Sequence, residues 1–190
     1  MTSPEFKNLK TQILPLHSYT KLAFCGLQRS GKDTAADFCI NNISKFTNAK
    51  ILKFADPLYE ISEFIQKTCG FPVCKERKLL QYIGTDYARA KDPEVWLNVF
   101  RKRLSEVSPD IPIIVTDGRF LNELNLLKEL GFYLVKIERD ENFRISSGAT
   151  YTTHASELDL DKFKDWNLVI KNDSSISEFY KTLKIIFDER

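Results

Sequence analysis

A glycine-rich segment with a lysine follows an apolar run near the start of the chain. The segment reads GLQRSGKDT over residues 26–34, after a run of strand-forming residues that ends at Cys25 and before a stretch with helical spacing. A loop of this kind curls so that its backbone N–H groups point into one concavity, and its lysine reaches the outer phosphates of a nucleotide. The predicted chemistry is therefore phosphate binding.

The loop departs from the usual phosphate-loop pattern at one position. Asp33 stands where G-x-x-x-x-G-K-[ST] has its Mg²⁺-binding hydroxyl, and the hydroxyl of Thr34 comes one residue later. Either side chain could be the closer partner of the metal. We expect Lys32 to lie at an exposed edge of the loop. The candidate nucleotide-binding residues of this loop are Gly26, Arg29, Ser30, Gly31, Lys32, Asp33 and Thr34.

Polar residues also stand where the other predicted strands end. Because the carboxyl ends of parallel strands share one edge of a sheet, we expect these residues to lie at the same edge as the glycine loop. They are Asp56 after strand 50–54, Asp117 and Arg119 after strand 113–116, Arg139 after strand 133–137, and Asn172 after strand 168–171.

Several of these residues have a second interpretation. Asp117 is placed to hold Mg²⁺ through water, or it caps the helix that follows. The guanidinium groups of Arg89 and Arg119 could clamp a phosphate, or they belong to ordinary surface arginines. Trp96 is a core residue or a platform for a ligand. His154 is a surface or hydrogen-bonding residue, because two histidines and scattered cysteines form no metal-binding pattern.

Strands and helices alternate along the chain. A helix with Asp56 as its N-cap carries Leu58, Ile61, Phe64 and Ile65 on one side. Further helical patterns cover residues 76–90, 94–107, 120–130 and 176–187. The segment 140–165 is polar and weakly periodic, which is typical of a mobile lid or an irregular excursion. The predicted fold class is α/β, a P-loop NTPase-type parallel five-stranded sheet with helices on both faces and a lid.

The composition limits the classes of protein. The chain has 190 residues, of which 43% are hydrophobic, which predicts one domain over residues 19–190 after a flexible arm at 1–18. A net charge of +2 without long runs of like charge gives no sign of a nucleic-acid partner. Without a long apolar run we expect no membrane association and a cytoplasmic location. Cys25, Cys39, Cys69 and Cys74 are expected to be reduced core thiols.

Several segments, taken in order, resemble one enzyme family. GLQRSGKDTAADF, FADPL, QYIGTDYARAKDPEVW, VTDGRFLNEL, THASE and NDSS look like the phage-type deoxynucleoside monophosphate kinases, which are P-loop kinases related to adenylate kinase and similar to dephospho-CoA kinase. The sequence G-K-D-T recurs in that family. The resemblance implies phosphoryl transfer from ATP, with Mg²⁺, to a deoxynucleoside monophosphate, giving ADP and the diphosphate.

The resemblance also implies roles for individual residues. Lys32 and the loop amides would hold the β- and γ-phosphates, and the hydrated Mg²⁺ would lie on Asp33, Thr34 and Asp117. Arg89 would hold the acceptor phosphate with Arg119 beside it, while Arg139 and Arg144 would move in from the lid. The acceptor-binding helices span about 56–107. The candidate substrate-binding residues are Phe54, Asp56, Gln81, Gly84, Thr85, Arg89 and Trp96, and Asn172 joins the ATP-binding set.

Deoxyribose selection would place an apolar wall, Trp96 with Phe54 as a second candidate, against C2′ of the sugar. Two other functions stay open. A kinase of the dephospho-CoA or phosphomevalonate type shares the loop. A non-catalytic nucleotide-binding module would need a partner surface or a guanine-reading N-K-x-D motif, and the sequence lacks that motif. The sequence does not indicate the accepted bases or the oligomeric state, for which a homodimer is one alternative. If the chain is phage-encoded, the cytoplasm is that of the host cell.

Overall fold

A computed structural model of the chain describes residues 19–149 and 155–187. The chain divides into two compact units, one that contains the described residues of 1–51 and 110–190 and another formed by Leu52–Pro109. The arm at 1–18 and His154 lie outside the described residues. The second unit covers the region, about 56–107, that the resemblance assigns to acceptor binding.

The first unit contains a parallel sheet of five strands in the order β2-β3-β1-β4-β5. The strands are β1 (Lys21–Cys25), β2 (Lys50–Ile51), β3 (Ile113–Val115), β4 (Tyr133–Glu138) and β5 (Leu168–Lys171). Strand β1 is central, and its Leu22 pairs with Ile114 on one side and Tyr133 on the other. The predicted α/β fold with five parallel strands is confirmed.

Helices connect and follow these strands in both units. They are α1 (Lys32–Asn42), α2 (Asp56–Thr68), α3 (Arg77–Gln81), α4 (Val95–Ser105), α5 (Leu121–Glu129), α6 (Glu141–Ser146), α7 (Ala155–Lys162) and α8 (Ile176–Phe187). A short 3₁₀ helix spans Ser44–Phe46, and a π-helix spans Tyr82–Arg89.

The core of the first unit lies between the sheet and helices α1 and α8. Phe24 of β1 is fully buried, and its ring lies 5.8 Å from that of Phe187 in α8. Phe179 and Leu183, one turn apart on α8, belong to the same buried cluster. The apolar spacing of α8 predicts a helix with one apolar face, and in the structure that face packs against the sheet.

Two predicted elements differ from the structure. The strand predicted at 50–54 contains only Lys50–Ile51, which pair with Ile113 and Ile114 of β3. The segment 140–165 is not irregular in its described parts, since it holds α6 and α7. Helix α6 begins after Asp140, whose carboxylate accepts a 2.9 Å hydrogen bond from the backbone N–H of Asn142.

Helix α2 in the second unit buries a different face from the one predicted. Its buried residues include Ser62 and Gln66, whereas Phe64 is exposed. Gln66 accepts the backbone N–H of Cys74 at 3.1 Å and donates to its carbonyl at the same distance. The buried amide therefore ties the loop after α2 to the helix, which offsets the cost of burying a polar group.

Asp56 is not the N-cap of α2. The N-cap is Ala55, and the Asp56 carboxylate in the first turn accepts the backbone N–H of Lys53 at 3.2 Å. A carboxylate in a helix's first turn also interacts favourably with the helix dipole. Asp56 thus stabilises the start of the helix from its first helical position.

The cysteines are free, but only two lie in the core. Cys25 and Cys39 are buried, and Cys69 and Cys74 are exposed, so the prediction of core thiols is wrong for the second pair. Among residues 19–149 and 155–187, no helix combines the length and the apolar character needed to cross a membrane.

Candidate active site

The loop after β1 has a backbone that requires glycine at two positions. Gly26 has φ +150° and Gly31 has φ +107°, which side-chain-bearing residues rarely adopt. A Cβ atom on Gly31 would also lie 2.6 Å from Nδ2 of Asn172. Arg29 has φ +63° and is the one non-glycine residue of the described chain with a positive φ. Such strain persists where the surrounding structure enforces it, which is common at ligand sites.

Lys32 lies beneath this loop and not at an exposed edge, so the sequence-based expectation is wrong. Its side chain is only 7% exposed, and its ammonium donates a 2.7 Å hydrogen bond to the carbonyl oxygen of Leu27. Burial, together with the positive charge of Arg119, lowers the pKa of Lys32 to about 8 from its ordinary 10.5. The loop folds over the lysine, and this explains why the lysine is buried.

Carboxylates from two elements act on the same ammonium. The negative charges of Asp33 and Asp117 both oppose the lowering of the Lys32 pKa, although burial outweighs them. Asp33 is at the start of α1, and Asp117 follows β3. Lys32, Asp33, Asp117 and Arg119 are therefore brought together at the carboxyl edge of the sheet, as the order of strands and helices predicts.

Glu123, and not Asp117, performs the capping of helix α5. The buried Glu123 carboxylate accepts the backbone N–H groups of Arg119 at 2.9 Å and Phe120 at 3.1 Å. Phe120 is the N-cap residue, so Glu123 occupies the third helical position, as in a capping box. Asp117 is therefore not the N-cap of this helix, and its half-buried carboxylate carries one of the charges that oppose the lowering of the Lys32 pKa.

Asn172, at the end of β5, supports the loop from the side of the sheet. The side chain is 4% exposed, and its amide donates a 2.8 Å hydrogen bond to the carbonyl oxygen of Ser30. Its backbone N–H donates to the carbonyl of Glu138, which continues the pairing of β4 with β5. The hydroxyl oxygen of Ser30 itself is buried and has no hydrogen-bond partner within the described chain.

The arginines after β4 lie beside helix α6. The Arg139 guanidinium lies 5.8 Å from the ring centroid of Phe143, within the range of a cation–π contact. The Nε atoms of Arg139 and Arg144 are buried and have no hydrogen-bond partner within residues 19–149 and 155–187. Nη2 of Arg29 lies 3.9 Å from where a Cβ on Gly148 would be, so the loop arginine reaches the segment after α6.

In the second unit, the helix predicted at 76–90 is mostly a π-helix. A Cβ on its buried Gly84 would approach a methyl group of Leu58 to 3.0 Å, so glycine allows the π-helix to lie close to α2. The indole N–H of Trp96 donates a 2.9 Å hydrogen bond to the Gly84 carbonyl. π-helical turns cost stability and are frequent at functional sites.

The other predicted acceptor-binding residues have varied surroundings in this unit. Gln81 is exposed, and Thr85 and Arg89 are half-buried on the π-helix. Trp96 is 5% exposed, and Phe54 is stacked on Phe100 with the ring centroids 4.2 Å apart. Asp56 lies 3.9 Å from the guanidinium of Arg103, which also pairs with Glu60. Their roles in substrate binding stay predictions.

Two residues of the site were missed by the sequence reasoning. The hydroxyl of Thr116 donates a 2.9 Å hydrogen bond to Oδ1 of Asp33, and Glu123 caps α5. Glu123 could have been found, because a glutamate three residues after a helix start is typical of a capping box. Nothing in the local pattern around Thr116 indicates a partner 83 residues away.

Comparisons with known proteins show the family to which the chain is similar. The sequence profile of a family described as deoxynucleotide monophosphate kinase matches residues 58–183. A protein of Acanthamoeba polyphaga mimivirus, named provisionally as such a kinase, is 30% identical over 189 residues, covering 85% of this chain and 93% of the relative. The deoxynucleoside-5′-monophosphate kinase of Escherichia phage T5 is 29% identical over 135 residues, covering 63% of this chain and 54% of that protein.

Among solved structures, TT1252 from Thermus thermophilus has a TM-score of 0.50 and 17% identity, over 87% of this chain and 94% of that one. At this identity the likeness concerns the fold alone. The family profile covers more than half of the chain and extends across both compact units. The chain therefore belongs to the deoxynucleotide monophosphate kinase family of phosphotransferases.

Proposed function

We propose that this enzyme transfers the γ-phosphate of ATP to a deoxynucleoside monophosphate, and that residues 26–34 hold the ATP phosphates. The observation that carries the proposal is the loop: a backbone with three positive φ angles lies over a buried lysine at the start of helix α1. Successive N–H groups in such a loop and the helix N-terminus form an anion site. The buried hydroxyl of Ser30, unpaired within the described chain, is a further donor in this loop.

Lys32 is suited to bind a phosphate because a phosphate oxygen can replace its hydrogen bond to a backbone carbonyl with a stronger one. In the structure its ammonium interacts with a neutral carbonyl, that of Leu27. A phosphate oxygen would make a charge-assisted bond, roughly twice as strong as a neutral one. The bound anion would also raise the lowered pKa of Lys32, so binding above neutral pH would be accompanied by proton uptake.

The carboxylates near Lys32 fit a magnesium ion that is held partly by substrate. The described residues contain no group of three or more His, Cys, Asp or Glu that could hold a metal. Mg²⁺ in kinases usually needs only one or two carboxylates, with phosphates and waters completing its octahedron. Asp33 and Asp117, with the hydroxyl of Thr34 nearby in sequence, supply that set. When bound, Mg²⁺ neutralises charge on the phosphates during transfer.

The acceptor would be held by the second unit. Arg89 lies on the π-helix, and a planar guanidinium is suited to a bidentate contact with the phosphate of a monophosphate. Gln81 and Thr85 precede it on the same helical segment, where an amide and a hydroxyl could read the edge of a base. Trp96 and Phe54 would form the apolar wall that selects deoxyribose.

Arg139 and Arg144 would neutralise the migrating phosphoryl group from the segment around α6. Both have a buried Nε atom without a partner in the described chain, so each has hydrogen-bonding capacity left to use. A kinase must also exclude water until the acceptor binds, and closure of residues 140–165 would serve this purpose. We further propose that the enzyme acts in the cytoplasm, in that of a host cell if it is encoded by a virus, as the two named relatives are.

Measurement of ADP formation from ATP and Mg²⁺ with separate acceptors tests the proposal. The panel consists of the common deoxynucleoside monophosphates, the matching ribonucleotides, dephospho-CoA and phosphomevalonate. We expect turnover with at least one deoxynucleoside monophosphate and only background rates with the last two compounds. A Lys32→Ala variant that remains folded provides the control for contaminating kinases. Turnover limited to dephospho-CoA or phosphomevalonate would overturn the proposed acceptor class.

A further inference from the structure

The bond between Thr116 and Asp33 joins two elements of the candidate site. Thr116 directly follows β3 and is 3% exposed, and its Oγ1 donates to Oδ1 of Asp33 at 2.9 Å. Asp33 is the second residue of α1 and belongs to the glycine loop. The hydrogen bond thus connects the end of a strand with the first turn of the helix that the loop opens.

The chemical types in this pair are exchanged relative to the usual phosphate loop. In that pattern the first turn of the helix supplies a hydroxyl to Mg²⁺ and a carboxylate follows a neighbouring strand. In this chain the helix supplies a carboxylate, Asp33, and the strand end supplies a hydroxyl, Thr116, directly before the carboxylate Asp117. At position 33 the usual hydroxyl is therefore replaced by a carboxylate, and a hydroxyl from a different element, Thr116, bonds that carboxylate.

The hydrogen bond constrains an otherwise exposed side chain. Asp33 as a residue is exposed, and an exposed aspartate ordinarily samples several rotamers. The buried hydroxyl has one proton to donate, and giving it to Asp33 leaves its lone pairs available. Losing this acceptor would leave a buried hydroxyl unsatisfied, which is costly. The pair therefore favours a single orientation of the Asp33 carboxylate.

We infer that Thr116 is a positioning residue of the metal–phosphate site, which holds the Asp33 carboxylate beside the ends of β1 and β3 and makes Asp33, rather than Thr34, the closer partner of the metal. Successive side chains on a helix are about 100° apart, so the side chain of Thr34 cannot point in the same direction as that of Asp33. The inference rests on the proposed use of magnesium and ATP and adds Thr116 to that site.

The experiment measures ATP affinity of the full chain by calorimetry, once with Mg²⁺ and once with EDTA. The ratio of the two affinities is the magnesium gain. We expect Thr116→Val to reduce this gain about tenfold, a change of about 1.4 kcal/mol, while its affinity in EDTA stays within about twofold of wild type. Thr116→Ser keeps the hydroxyl and is expected to retain most of the gain. Thr182→Val is the matched control, since its hydroxyl bonds the Glu178 carbonyl of its own helix.

A second variant keeps the test decisive if Thr116→Val unfolds. Asp33→Asn changes an exposed residue and is expected to lose the gain as Thr116→Val does. The double variant is expected to lose no more than Asp33→Asn alone, because Thr116 acts on the metal only through Asp33. Thermal unfolding of each variant without nucleotide checks the fold.

Three outcomes would overturn the inference. These are an equal loss of affinity with and without Mg²⁺ in Thr116→Val, an unchanged gain in both Thr116→Val and Asp33→Asn, or a loss of the gain in Thr34→Val but not in Asp33→Asn. A wild-type protein without any magnesium gain would instead contradict the proposed function. The experiment thus distinguishes a failure of the inference about Thr116 from a failure of the proposed function.

Discussion

The side-chain amide of Asn172 donates a 2.8 Å hydrogen bond to the carbonyl oxygen of Ser30, across 142 residues of sequence. The same amide nitrogen would collide with any Cβ on Gly31. Asn172 therefore holds the phosphate loop through a hydrogen bond and also excludes a side chain at position 31. The family resemblance puts Asn172 among the ATP-binding residues, and the structure supports a route by which it could affect ATP without contacting it.

Replacing Asn172 by Asp should weaken both the fold and ATP binding. A carboxylate cannot donate to the Ser30 carbonyl, and a lost bond of this kind to a buried group costs about 1–3 kcal/mol. We expect that loss in urea unfolding and a larger rise in KM for ATP than for the deoxynucleoside monophosphate. Asn41→Asp is the matched control, because the Asn41 amide bonds a backbone carbonyl at an exposed position. Unaltered stability would mean that the bond contributes little.

Lys32→Met should reduce turnover by about 10²–10³-fold or more, because it removes a charge that stabilises the transferred phosphoryl group. The methionine keeps the length and the apolar stem of the side chain, so circular dichroism should be unchanged. Lys184→Met on the exposed side of α8 controls for the loss of a positive charge. A folded Lys32→Met protein with normal turnover would end the phosphate-loop interpretation.

The lowered pKa of Lys32 predicts a dependence of stability on pH in the protein without nucleotide. Below pH 8 the lysine is charged in both the folded and unfolded states, so the folded state bears the cost of burying the ammonium. As the pH rises from about 8 to 10.5, the folded lysine loses its proton first, and this cost disappears. The free energy of unfolding of wild type relative to Lys32→Met should therefore increase by roughly 3 kcal/mol over this range.

Denaturant unfolding of both proteins at matched pH values measures this difference, and subtraction removes the titration of the other groups. Excess ATP should flatten the curve, because bound phosphates stabilise the charged lysine. A difference that falls with pH would show that Lys32 is stabilised by its carboxylate neighbours more than it is destabilised by burial.

Arg89→Ala should affect the acceptor more than the donor. If its guanidinium grips the acceptor phosphate, the lost contact is worth about 1.5–3 kcal/mol, a rise of roughly ten- to hundredfold in KM for the monophosphate. KM for ATP should change little. Arg101→Ala, an arginine on α4 in the same unit whose guanidinium bonds Asn98, is the control. Equal effects on both substrates would remove Arg89 from the acceptor-binding set.

The sugar of the acceptor should affect the catalytic efficiency. We expect kcat/KM to favour a deoxynucleoside monophosphate over its ribonucleotide by about tenfold or more, which is about 1.4 kcal/mol. Trp96→Ala should narrow this ratio, and Trp96→Phe, which retains an aromatic ring but loses the hydrogen bond to Gly84, should retain it. Comparing dGMP with GMP in the three proteins decides the point. A ratio that is unchanged in Trp96→Ala would make Trp96 a support of the π-helix only.

Local patterns in the sequence were sufficient to predict the glycine loop and most of the helices and strands. The glycines and lysine of residues 26–34, the buried runs of β1 and β3, and the apolar spacing of α8 each specify backbone conformation through neighbours a few residues away. The alternation of strands and helices then implies a parallel sheet, and therefore an edge where polar residues collect. The family resemblance rested on the same segments.

The tertiary structure decided the contacts between distant residues, which local patterns do not determine. The burial of Lys32, the bond from Asn172 to Ser30 and the bond from Thr116 to Asp33 all depend on which strands are neighbours, and the order β2-β3-β1-β4-β5 differs from the order along the chain. The π-helix likewise depends on Leu58 and Trp96, which lie outside it. Such features are set by packing and by the need to satisfy buried polar groups between distant segments, and a local pattern contains neither.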